Sequence, residues 1–75
     1  MADNKLNLKE IIAMAIQIET TGAAFYKKLR ELADSDVAKE LFGRLEEAEY
    51  EHIKDFKAIL EKRLLEDFIT DINIF

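Results

Sequence analysis

From residue 8 onward the chain offers a single place for a helix to stop. Asp34-Ser35-Asp36 sets three short polar side chains in a row, while Pro is absent from all 75 residues and Gly occurs only twice. Pro and Gly are the residues that most disfavour a helix interior, by roughly 3 and 1 kcal/mol against Ala. The chain therefore reads as all-α, with two long helices and one short turn. Asn7 and Glu10, three positions apart, have the form of a capping box, and Leu6 and Ile11 are placed as its hydrophobic staple. Helix 1 is predicted over about 8–33, helix 2 over about 36–65, and a C-terminal arm or short third helix over 66–75, all in a single domain spanning 1–75. A connection this short makes an antiparallel hairpin.

Steps of 100° along helix 1 align Leu8, Ile12, Ala15, Glu19, Ala23, Tyr26 and Ala33 in one stripe. On helix 2 the matching stripe is Ala38, Phe42, Leu45, Glu49, His52, Phe56 and Leu60, with Ile53 at its edge. Each row is apolar except at its middle, where Glu19 interrupts the first and Glu49 and His52 the second. An uncompensated buried carboxylate costs several kcal/mol, so the interruptions need a partner, and the obvious one is a metal. Glu19 lies 16 positions before residue 35 and Glu49 lies 14 after it. The hairpin thus brings both to nearly the same height.

Other readings of single residues stand beside this one. Glu-x-x-His on an isolated helix is more often a solvated pair than a ligand set, and Glu19 by itself fits a core-edge carboxylate paired with Lys. Glu46, Glu47, Tyr50 and Glu51 read as a wet helix face, with Glu46 near enough to the site to guide cations inward. Phe25, Phe42 and Phe56 read as core.

Composition narrows the partners. The formal net charge is −5, which opposes the phosphate neutralisation on which nucleic-acid binding rests. No Cys is present, which removes disulfides, thiolate zinc sites and iron–sulfur clusters within this chain. No apolar run reaches the roughly 18 residues of a membrane span and no signal-peptide pattern opens the chain, so a soluble, cytoplasmic protein is expected. Helix 1 carries a second apolar set, Met14, Ile18, Phe25, Leu29 and Leu32. One partner helix cannot cover so wide an arc, and a hairpin of this size has too little core to stand alone. A homo-oligomer is expected, at least a two-fold dimer forming a four-helix bundle. The stretch Asp67-Phe68-Ile69-Thr70-Asp71-Ile72-Asn73-Ile74-Phe75 is apolar for an exposed tail, so it is expected to dock across a subunit interface or on another protein.

The run from Ala15 to Leu29, with Glu19, Gly22 and Phe25-Tyr26, followed by Phe42 to His52 with its Glu49-x-x-His52, resembles the rubrerythrin branch of the ferritin-like superfamily. Members with four helices in one chain carry this half-motif twice. Here it occurs once, as in the two-helix encapsulated ferritins, which this chain resembles in length and motif layout. The resemblance implies a ferritin-like bundle and a di-iron centre shared between two subunits, two Fe per dimer, with Zn or Mn as substitutes. It implies that Glu49 bridges the metals, that Glu19 binds one terminally and that His52 completes each ion. The Tyr26 hydroxyl would bond a liganding carboxylate. It implies ferroxidase activity in iron storage or detoxification, with an encapsulin shell as a partner and compartment. Peroxide reduction is the alternative, and a metal-free helical dimerisation module is a third reading.

Overall fold

The computed structural model describes residues 5–72. It contains α1 (Leu8–Leu32) and α2 (Asp36–Ile72), and the described residues hold no strand. Asn7 caps α1 through the expected box. The Glu10 backbone N–H donates to Asn7 Oδ1 at 2.8 Å, and the Asn7 N–H donates to Glu10 Oε1 at 3.4 Å. Leu6 and Ile11, the expected staple, both remain about half exposed. At the other end Ala33 turns to extended backbone and stops α1. Ser35 then starts α2: its hydroxyl accepts from the Ala38 N–H at 3.2 Å and its carbonyl from the Lys39 N–H at 3.0 Å. Two helix ends share a turn of three residues.

Cross-helix neighbours run in reverse order along the two elements. Leu8 and Leu60 line one groove, Glu19 meets His52, Gly22 lies against Glu49, and Arg30 pairs with Glu46. The hairpin is antiparallel. The expected stripes are shielded from solvent: Leu8, Ile12, Ala15, Glu19, Ala23 and Tyr26 on α1 with Ala33 just past its end, and Ala38, Phe42, Leu45, Glu49, Ile53, Phe56 and Leu60 on α2. The Cα atoms span 62 × 33 × 11 Å, which is a single layer of helices. A single layer covers one side of each helix only. No large side chain among the described residues is fully buried, and Ile12 and Ala23 alone form the apolar core.

Three expectations are corrected here. Phe25, expected in the core with Phe42 and Phe56, is 59 % exposed, because it lies about 100° off the α2-facing stripe of α1. Helix 2 was expected to end near residue 65 before a separate arm; instead α2 continues unbroken to Ile72. Nothing after Leu60 breaks a helix, and the turns there are pinned by Arg63–Asp67 at 3.3 Å and by the Thr70 hydroxyl donating to the Glu66 carbonyl at 2.9 Å. Residues 73–75 of the expected arm lie outside the described residues. Glu46 was placed on a wet face; it is 7 % exposed. The Arg30 side chain reaches across from α1 to within 2.8 Å of Glu46 Oε1, and the Tyr50 hydroxyl donates to Oε2 at 3.0 Å. That hydrogen bond, chiefly, raises the Tyr50 hydroxyl above its ordinary pKa. With both oxygens held inside the hairpin, Glu46 acts as a clasp between helices.

Arg30→Ala leaves the Glu46 carboxylate shielded from water with one partner fewer. Breaking a fully buried pair costs about 3–5 kcal/mol, but the Arg30 end is partly solvated, so a loss of about 1–2 kcal/mol is expected. The check is the midpoint of urea unfolding, which should fall for Arg30→Ala and hold for Arg44→Ala, whose Glu40 pair lies on the surface.

Candidate metal centre

One residue of α1 and two of α2 converge midway along the hairpin. Glu19, Glu49 and His52 each offer one ligand atom, and the three atoms lie within 4.8 Å of one another. His52 Nδ1 and Glu19 Oε2 are 2.7 Å apart. Glu49 and His52 are three positions apart on α2, so they stand one turn from each other on neighbouring rows. Because Ile53 and Glu49 face α1, His52 is turned roughly 100° away from Ile53, to the rim. Its side chain is 55 % exposed, against 21 % for Glu19. The stripe reading put His52 inside; in the protomer it stands at the open edge of the site.

The remaining expected residues fall elsewhere. Tyr26 is half-buried two helical turns beyond Glu19 and packs against Phe25, ring centroids 5.6 Å apart at 58°. Among the described residues its hydroxyl bonds neither Glu19 nor Glu49. Glu46 belongs to the clasp described above. Gly22 was missed as a site residue: Glu49 lies directly over it, where a Cβ would come within 2.9 Å of Oε2. A glycine inside a helix costs roughly 1 kcal/mol relative to alanine, and that cost was the signal to look for what approaches it.

The three groups perturb one another. A hydrogen bond from the Glu49 carboxyl, then one from His52, holds the Glu19 carboxylate below its ordinary pKa. The same bond to Glu19, with partial burial and the Glu19 charge, raises Glu49. His52 is raised chiefly by its bond to Glu19, with the charges of Glu19, Glu49 and Asp55 adding and desolvation opposing. Glu49 and His52 thus hold protons more tightly than usual at the atoms that a cation would use. Two carboxylates and one imidazole are an oxygen and nitrogen donor set suited to Fe(II), Mn(II) or Zn(II) rather than to soft thiophilic ions. The donors fit a divalent metal, and Glu19, Glu49 and His52 would hold it.

The rubrerythrin family model matches residues 5–71. The chain belongs to the rubrerythrin family. No curated protein and no solved structure gave a match. Rubrerythrin-family proteins typically bind iron, and this chain places at mid-hairpin a Glu/Glu/His group that could hold a metal ion. No helix among the described residues of this rubrerythrin-family chain is long and apolar enough to cross a membrane.

Protons and cations compete for Glu49 and His52. Both groups keep their protons to higher pH than usual, so affinity falls as pH drops through those raised values. The expected loss is about tenfold per pH unit for each proton displaced. Calorimetric Zn(II) titrations near about pH 7.5 and about pH 5.5 check this. Equal affinity at the two pH values would count against protonation of the ligands.

Proposed function

We propose that this chain is a ferroxidase-type di-iron protein whose substrate, Fe(II), is oxidised at a site completed by a second copy of the chain. The observation that carries this reading is the position of the Glu19–Glu49–His52 cluster at an open edge. In an antiparallel hairpin the flank of α1 about 100° behind its α2-facing stripe and the corresponding flank of α2 lie on the same side. On that side α1 exposes Met14, Ile18, Phe25 and Leu32, with Ile18 at 67 % and Leu32 at 68 % exposure, and α2 exposes Leu41 and Ile59. His52 opens onto the same side as this apolar face.

A second copy docked there by a two-fold axis covers the apolar side chains and brings a second Glu19, Glu49 and His52 opposite the first. Four carboxylates and two imidazoles carry a formal charge of about −4 against +4 for two divalent ions. Two Fe(II) each give up one electron; dioxygen accepts both with two protons and leaves as hydrogen peroxide. Where hydrogen peroxide is the oxidant, it takes the same two electrons and two protons, its O–O bond breaks and two waters leave. Carboxylates suit both iron oxidation states, and the imidazoles favour iron, zinc or manganese over magnesium and calcium. A two-helix hairpin encloses no mineral-sized space, so ferric product would pass to a vessel built from many copies or from an encapsulin shell.

Anaerobic Fe(II) titration followed by an oxygen pulse tests the proposal. Saturation at two irons per dimer, with near-ultraviolet ferric absorbance after the pulse, is expected. Stoichiometric turnover with peroxide and little with dioxygen would move the assignment to a peroxide reductase. Absence of iron uptake would leave a helical dimerisation module.

A further inference from the structure

The chain's only two glycines both lie inside helices, where glycine is the least favoured residue after proline. Each lies under a long charged side chain from the opposite helix. A Cβ on Gly22 would meet Glu49 Oε2 at 2.9 Å, Cδ at 3.3 Å and Cγ at 3.7 Å. On Gly43 it would meet Arg30 Cδ at 3.4 Å, an ordinary van der Waals separation. The two positions differ in kind. Arg30 passes over Gly43 with room for a methyl group, whereas the Glu49 carboxylate occupies the space that a methyl group on Gly22 would need.

From this we infer that Gly22 is a positioning residue of the metal centre: its missing side chain is the notch that lets Glu49 lean onto α1 and come within reach of Glu19 and His52. The inference rests on the metal-binding reading of the cluster. Glu19 and Gly22 are three positions apart and stand one turn from each other on α1. The carboxylate seated over Gly22 is thereby delivered beside Glu19. The atoms that a Cβ meets are the end of a flexible side chain and not backbone, so an alanine at 22 turns Glu49 aside and leaves the helices packed.

This predicts opposite signs for fold and site. Gly22→Ala improves helix propensity, so the melting temperature of the metal-free protein should rise by roughly 3–8 °C. Co(II) affinity, read from the visible absorbance of the bound ion, should fall about tenfold or more. Gly43→Ala makes the same helix-propensity change without touching Glu49; its melting temperature should rise too, with Co(II) affinity within about twofold of the parent. Unchanged Co(II) affinity in Gly22→Ala overturns the inference. A fall in both melting temperature and affinity overturns it as well, since it assigns Gly22 to ordinary packing. Failure of the unsubstituted chain to bind Co(II) removes the metal centre itself and the notch with it, and is told apart by appearing without any substitution.

Discussion

Glu49→Ala is expected to abolish paired-metal binding, at least ~100-fold in affinity, while leaving both helices in place. Residues that merely orient a ligand cost about 10–100-fold when removed, and Glu49 is one of three donors in the cluster. What remains in each protomer is Glu19 and His52, 2.7 Å apart and bonded to each other, which is half of the carboxylate charge. The helices survive because Ala is the strongest helix former and because Glu49 is only partly buried, against a glycine. The change also removes the larger of the two hydrogen bonds that keep the Glu19 carboxylate below its ordinary pKa, leaving the one from His52. Circular dichroism should be unchanged, and iron bound per dimer should fall from two towards none. Retention of two irons per dimer would mean that Glu49 is not one of their ligands.

The fold was legible because its determinants are local. A capping box at Asn7, a polar stop at residues 34–36 and an absence of breakers fix where the helices begin and turn, and the 3.6 period fixes which side chains meet. Glu19 and Glu49 were legible for the same reason, since counting from the turn predicts their common height. Period alone did not resolve His52, because a stripe half a turn wide includes both residues that face a neighbour and residues that flank it. Glu46 was misread for a different reason: four residues after Phe42 and seven before Ile53 it stands at the edge of the α1-facing row, but its charge argued for solvent, and the partner that offsets burial, Arg30, sits on the other helix. The continuation of α2 past residue 65 turned on the lack of any stop signal, which apolar composition had obscured. Gly22 carried a visible energetic cost but required knowledge of Glu49's path to interpret.

Divalent metal is expected to convert weakly associated hairpins into dimers. In the proposed dimer the exposed apolar flank formed by Met14, Ile18, Phe25, Leu32, Leu41 and Ile59 would favour association whether or not metal is present, but closing it would bring two Glu19–Glu49 pairs face to face. Like charges at such separations oppose one another and raise the affinity for protons. Two cations reverse that balance. If the protomer alone binds weakly, ions at about 100 times their dissociation constant contribute about 2.7 kcal/mol each, so two raise the dimerisation constant by about 10⁴-fold. Acid should act oppositely on the two forms. As pH falls through the raised values of Glu49 and His52, protons neutralise the carboxylates and relieve the metal-free interface of repulsion, while the loaded interface loses its cations and weakens. Sedimentation velocity with and without Fe(II) under argon, at neutral and mildly acidic pH, reads both trends. An identical distribution of species with and without metal would mean that the interface is built elsewhere, and that Glu19, Glu49 and His52 do not meet their counterparts across it.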